Sequence, residues 1–498
     1  MKHIIISILA IITLLPALNA QIADANVRLH GRALQYAGFH IEVFVYKDFI
    51  TKDKVAIGVL DVDDNGNFDC IVDLQQNGVK YAFMDLGAYK AYIYLESGKD
   101  YHLVLPPFKP RPDADRFNPF YQQEPIEAGI VNEPSRLNIA IREFDGWWQN
   151  QYASNIARLA RYNDRKLADK LVQRCDSMAS TLNCKVQFFK DYVHYRKAQL
   201  YATPRMGNVR GIISKFYSQN KKSVVDMPPY WQTLQMICPN FLTSIGIYTN
   251  AKDKCRAELR SPNASFSSIC AALQTDTAYA KRAVSENLLI MGIYDGYYSQ
   301  EISESFVDLL LNGAISQNTH QDTKLIAQNI IDKKNHLHPG TEAPSFTLMD
   351  MRGKEVSLSS LKGRWVYIGF LHSQNFAAVK DMAALDAMQT KYQKDIQVVG
   401  IFTDEKSDQL AARMKNAKHN WLPLTYVTQQ SILSEYNVVA LPTYYLIDPD
   451  GRISLSPAPS PTEKLEQAIA NQMISYKREL AKRPKQRNQA KSIYDIAR

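Results

Sequence analysis

Cysteine is scarce in this chain and unevenly placed. Six occur in 498 residues (Cys70, Cys175, Cys184, Cys238, Cys255 and Cys270), and none follows position 270. Thiol–disulfide exchange needs a thiolate nucleophile, and no other side chain replaces its sulfur. The stretch beyond residue 270 therefore cannot run that chemistry alone. No C-x-x-C occurs anywhere, so neither a zinc knuckle nor a dithiol redox motif is supported. Also missing are a phosphate loop, a dinucleotide fingerprint and a G-x-S-x-G elbow, which removes the common nucleotide and hydrolase signatures. Heptads are not sustained, so a coiled coil is not indicated.

Long apolar runs are confined to one place. Met1-Lys2-His3 is followed by "IIISILAIITLLPALNA". A basic tip, a short apolar stretch and small residues up to Ala20 read as a secretory signal over residues 1–20. The expected location is periplasmic or extracellular, with no transmembrane span once the signal is removed. No cysteine follows the expected cut, which argues against a lipoprotein anchor. Charge is +9 overall and concentrated at the end: residues 477–498 hold eight basic residues against two acidic ones. This basic tail is expected to be extended and solvated. No nucleic-acid partner is expected of an exported chain. An oxidising compartment permits disulfides. Cys175 with Cys184, and Cys255 with Cys270, are candidate local bridges; unpaired core thiols are the alternative, and Cys70 sits in a strand pattern.

Hydrophobic content of 46% and charge of 22% are ordinary for a globular chain. The length suggests two to four domains. Residues 21–105 carry strand-length alternating runs ("HIEVFVYK", "KVAIGVLDV", "GNFDCIVDL", "YAFMDLG", "AYIYLES", "DYHLVLPP") and are expected to form a β-sandwich. Asp61-Val62-Asp63-Asp64-Asn65-Gly66 has the look of a calcium loop, but Val72 stands where the twelfth-position carboxylate belongs. Asn65-Gly66 reads instead as a type I′ hairpin turn. Residues 106–132 are a Pro-rich linker, which disfavours regular structure. Residues 133–335 turn helical, with Leu137, Ile141, Phe144 and Trp148 at helical spacing. The aromatic stripes there are read as core.

Residues 336–476 alternate strands and helices, as an α/β domain does. Val398–Phe402 and Tyr444–Ile447 are short apolar runs bounded by turn residues, and Asp448-Pro449-Asp450-Gly451 is turn chemistry. Val379, Met382, Leu385 and Met388 recur at helical spacing. Specific residues carry a resemblance. His338-Pro339-Gly340-Thr341-Glu342-Ala343-Pro344-Ser345-Phe346 is similar to the G-x-x-A-P-x-F entry of TlpA-type thioredoxin-like domains of the AhpC/TSA superfamily. "YNVVALPTYYLIDPDGRI" follows that family's Y-x-V-x-x-x-P-T-x-x-L-I-D-x-x-G-x-I. The whole resembles a multidomain envelope protein of Bacteroidota with a β-sandwich ahead of a thioredoxin-like domain. Laid on the family pattern, Asn375 and Ala378 fall where the two cysteines of C-x-x-C would stand, and Asp381 takes the acidic position. Pro442 becomes the candidate cis-proline.

The resemblance implies a multidomain fold: N-terminal β-sandwich, central all-α region, C-terminal α/β thioredoxin-like domain. In that fold the residue before the cis-proline offers backbone groups to an extended peptide. The expected peptide groove is therefore His372, Phe376, Leu441, Pro442 and Thr443. No catalytic residue, metal or cofactor is expected, and the partner is an envelope protein or peptide. Two other readings stay open: a thiol-disulfide oxidoreductase that uses upstream cysteines, and a structural component whose groove is plugged. His336, His338 and His320 read as surface linker histidines. His372, beside the loop, reads as a base, a ligand contact or a structural histidine.

Overall fold

Alternating apolar residues from Asn26 to Val104 build seven strands: β1 (Asn26–Arg32), β2 (His40–Tyr46), β3 (Lys54–Asp61), β4 (Asn67–Asp73), β5 (Val79–Leu86), β6 (Tyr89–Glu96) and β7 (Asp100–Val104). The computed structural model describes residues 25–75, 78–112, 115, 121–162, 164–202, 208–218, 226–404, 419–429 and 431–482. The signal sequence expected at residues 1–20 lies outside them. Two units partition the chain, residues 1–113 with 122–333 and residues 114–121 with 334–498.

In the first unit the strands form two sheets, β4-β1-β7-β9 and β3-β2-β5-β6-β8. Period-2 alternation sends Val27, Leu29, Val43, Met84, Ile93 and Leu103 into one shared core. Two strands fall inside the Pro-rich segment: β8 (Glu124–Glu127), parallel to β6, and β9 (Gly129–Ile130), antiparallel to β7. The expectation of an irregular linker over 106–132 is thus corrected. Proline is tolerated at Pro125 because β8 is an edge strand.

The Asn65-Gly66 turn is also not the hairpin its residues suggest. Gly66 has φ +82°, but Asn65 is not in the left-handed region, so the turn is not type I′. β4 pairs with β1 and β3 with β2, so the turn passes the chain from one sheet to the other. Asp63 holds it, its carboxylate accepting from the backbone N–H of Asn65 (2.9 Å) and Asn67 (2.7 Å). A Cβ on Gly66 would stand 2.5 Å from the Leu34 backbone, so only glycine fits.

The helical part of this unit runs α1 (Leu137–Tyr162), α2 (Arg165–Thr181), α3 (Gln187–Tyr201), α4 (Pro228–Ile237), α5 (Lys252–Arg260), α6 (Phe266–Gln274), α7 (Arg282–Tyr298), α8 (Glu304–Ser316) and α9 (Gln321–Asn335). The α1 stripe of Leu137, Ile141, Phe144 and Trp148 is buried. α7 is buried over most of its length, with Leu288, Leu289, Ile290 and Met291 fully enclosed. Buried carboxylates tie the helices together. Asp276 accepts from both Arg210 nitrogens (2.8 and 2.7 Å), from Thr249 Oγ1 (2.9 Å) and from Asn250 N (2.8 Å). Glu286 accepts from Arg282 Nε, from His320 N and Nδ1, and from Thr323 Oγ1. His320 is therefore a partner of a core carboxylate, not a free surface histidine.

All six cysteines are free thiols. The candidate bridges Cys175–Cys184 and Cys255–Cys270 are not made; Cys175, Cys255 and Cys270 serve instead as apolar core groups of their helices.

The second unit is a seven-stranded sheet in the order β11-β10-β14-β13-β12-β15-β16. Its strands are β10 (Thr347–Asp350), β11 (Glu355–Ser357), β12 (Trp365–Leu371), β13 (Ile396–Phe402), β14 (Leu422–Thr425), β15 (Thr443–Ile447) and β16 (Ile453–Ala458). β12, β13 and β14 are parallel, and β15 runs antiparallel to β12. β12 is buried at every residue, as a continuous apolar run at a sheet centre should be. Separate apolar clusters form on the two faces. Gly369 lets the Tyr444 ring cross β12, since a Cβ there would lie 2.6 Å from it. Helices α10 (Phe376–Lys391) and α11 (Leu465–Lys482) pack on one face through Leu385, Met388, Leu465 and Ile469. The expected apolar stripe on α10 is corrected at one point. Val379 is half exposed, and Ala378 and Asp381 face inward instead. Residues 477–482, expected as the start of the basic tail, are helical, because α11 continues to Lys482; residues 483–498 lie outside the described residues.

Candidate functional site

Strand β12 ends at Leu371, and the chain turns through His372, Ser373 and Gln374 before α10 begins at Phe376. The turn is built from local bonds: Asn375 N donates to His372 O (3.0 Å) and Gln374 N to His372 Nδ1 (3.2 Å). Accepting at Nδ1 leaves the ring proton on Nε2, 3.7 Å from Asp404 Oδ1. Asp404 follows β13 and also holds Ser373, accepting from its N–H (3.0 Å) and its hydroxyl (2.6 Å). His372 is nearly fully buried, so it supports the loop from beneath. Sequence reasoning missed Asp404; its signal was a carboxylate just past the β13 apolar run.

Asn375 is the helix N-cap. Its Oδ1 accepts from Ala377 N (2.9 Å) and Ala378 N (3.2 Å), satisfying two otherwise unpaired donors. Its Nδ2 donates to Leu441 O at 3.0 Å. Leu441–Pro442 is a cis peptide, and Leu441, Pro442 and Thr443 are half-buried at the start of β15. Thr443 Oγ1 donates to Ala440 O. The two segments named as groove walls therefore meet through one amide side chain. Ala378 sits three residues on, with no exposure.

Apolar side chains rim this junction. Phe376 is 85% exposed, Val439 67% and Val379 49%. Beneath it, Asp381 accepts from Tyr444 OH (2.8 Å) and Thr462 Oγ1 (3.1 Å). Burial, with the Asp381 hydrogen bond, pushes the Tyr444 phenol far above its ordinary value. Tyr367 stacks parallel on Tyr444 at 5.3 Å. The acidic position is thus anchored in a tyrosine network. Among the described residues no group of three or more histidine, cysteine, aspartate or glutamate side chains is arranged to hold a metal ion.

A four-neighbour parallel and antiparallel core, a helix leaving the C-terminal end of its central strand and a cis-proline opposite that helix define a thioredoxin-like domain. Residues 339–456 match the AhpC/TSA family, and the chain belongs to that family through this domain. It is similar to the thiol-disulfide oxidoreductase ResA of Bacillus subtilis, 31% identical over 122 residues that cover 24% of this chain and 67% of that protein. The ResA of Bacillus anthracis is 29% identical over 146 residues, covering 29% and 80%. A solved thiol:disulfide interchange protein from Bacteroides sp. is 23% identical with a TM-score of 0.25, covering 28% of this chain and 91% of that one.

Proposed function

We propose that this chain is an exported, redox-inactive thioredoxin-fold protein that binds an envelope protein or peptide. The observation that carries the reading is the placement of Asn375. It caps α10 and bonds Leu441 O, at the place where the resemblance puts an attacking thiolate. With no cysteine after position 270, the domain has no sulfur for exchange. The leader-like N-terminus supports export.

The Asn375 bond engages the carbonyl that an extended peptide would otherwise pair with, so recognition shifts to side chains. Phe376, Val379 and Val439 supply exposed apolar surface next to that bridge, suited to an apolar anchor residue on the partner. Use of upstream cysteines as a redox couple is disfavoured by their environment. Burial pushes Cys175 up to about 12 and Cys255 up to about 11, and raises Cys70 and Cys184 as well.

A random-peptide library panned on the full-length protein tests the reading. Enriched peptides are expected to lose about tenfold or more in affinity for Phe376→Asp, an exposed site whose change should leave the melting temperature alone. No enrichment over a control protein, or equal binding to Phe376→Asp, would contradict it.

A further inference from the structure

A cavity of about 320 Å³ opens in the first unit between the outer face of β5 and β6 and the helices α1, α3 and α4. It is independent of the thioredoxin-like domain, and nothing in the function proposed above uses it. The volume is at the small end of ligand sites, about 300–1,000 Å³.

Its base is tyrosine. Tyr81 and Tyr92 lie parallel at 5.1 Å, and Tyr94 leans on Tyr81 at 4.8 Å. One wall is a locked polar cluster. Arg196 grips Asp145 with two nitrogens (3.0 and 2.6 Å) and also donates to Tyr192 OH (3.0 Å), which in turn donates to Asp145 (2.6 Å). The guanidinium rests over the Trp148 and Tyr192 rings at 5.0 and 5.3 Å. Asn138 fixes the back of the site by bonding Tyr94 N (2.7 Å) and Tyr94 O (3.0 Å). That amide continues the pairing of β6 beyond the end of β8, which leaves the sheet at Ala128. The rim is exposed and carries Gln149, Gln232 and Glu127.

We infer that this cavity is a binding site for a neutral sugar of one or two rings. Three features of the lining select that chemistry. The Tyr81, Tyr92 and Tyr94 side chains give the base aromatic carbon surface on which the C–H groups of a pyranose can pack. The exposed rim amides of Gln149 and Gln232 each present a donor and an acceptor, which vicinal hydroxyls satisfy because each both donates and accepts. The charges cancel locally: Asp145 faces Arg196, and Glu127 faces Arg142 at 3.7 Å, so no uncompensated charge selects an ionic ligand. The wall is ordered before any ligand arrives, which lowers the entropy cost of binding.

Saturation-transfer NMR on the full-length protein, with maltose, cellobiose, lactose and N,N′-diacetylchitobiose at millimolar concentration, tests this. Arginine amide serves as the cationic comparison. At least one disaccharide should receive saturation and bind at least about tenfold more weakly to the double variant Gln149→Ala/Gln232→Ala, whose exposed positions spare the fold. Gln232→Trp, which fills the mouth, should abolish the signal at an unchanged melting temperature. No transfer to any of the four sugars, transfer that survives both variants, or transfer to arginine amide alone would overturn the proposal.

Discussion

Asn375 does two jobs with one side chain, and its substitutions separate them. Asn375→Asp keeps an acceptor for Ala377 N and Ala378 N but cannot donate to Leu441 O. The expected cost is about 1–3 kcal/mol, from a half-buried carbonyl left without its donor. Asn375→Ala removes the cap as well, which adds about 0.5–2 kcal/mol. Urea unfolding that ranks wild type above Asp and Asp above Ala supports both roles; equal stability of all three denies them. The cysteines give a second expectation at this scale. With Cys255 pushed up to about 11, its thiolate fraction at pH 8 is about one in a thousand, and that of Cys175, at about 12, is lower still. Half-buried Cys70 and Cys184 should therefore react first with a thiol reagent, and the buried four only on unfolding. Rapid modification of all six in the native protein would contradict this.

At the scale of elements, Asn375 caps α10 and Ala378 lies in its first turn, beside the cis-proline loop. The double change Asn375→Cys with Ala378→Cys should form a disulfide under mild oxidation, since residues three apart share a helix face. The helix N-terminus should also lower the first thiol's pKa. Two thiols that persist would mean that the loop does not hold the pair in register.

Asp276, which joins segments from Arg210 to Ala278, supplies a pH prediction. Burial alone would raise its pKa, but the Arg210, Asn250, Thr249 and Ala278 hydrogen bonds outweigh it and hold the carboxyl well below the usual range. A folded value below the unfolded one stabilises fully above the unfolded pKa of about 3.9 and is lost as pH falls below it. Asp276→Asn should cost up to about 3–5 kcal/mol near neutrality and much less at about pH 2. A cost independent of pH would refute the charge argument.

What was legible at this scale was local. β13 and β15 were readable as short apolar runs, and the cis-proline from the residues around Pro442. The β3–β4 turn was readable as a turn, but β3 stays paired with its predecessor β2 while β4 pairs with β1 in the other sheet, which no dipeptide records. Val379 was misplaced because a three-residue spacing drifts around a 3.6-residue helix toward solvent. The Ser373–Asp404 and Asn375–Leu441 contacts join residues 31 and 66 apart, which local pattern cannot pair. The Arg196–Asp145 cluster was hidden for the same reason, inside stripes that read as plain core.

At the scale of the whole molecule, every sulfur of cysteine lies in one unit and the fold associated with sulfur chemistry lies in the other. The first unit has its own double-layered strand core and its own helical core, so its thiols are explained by packing alone. The second has the sheet, the helix and the cis-proline of a thioredoxin-like domain, and at the start of that helix the Asn375 amide bonds Leu441 O. Under the proposed function the protein binds its partner without redox chemistry. Insulin reduction by the full-length protein in the presence of dithiothreitol measures that most directly. The prediction is precipitation with the same onset as dithiothreitol alone. An earlier onset, removed by changing any upstream cysteine to serine, would contradict the account.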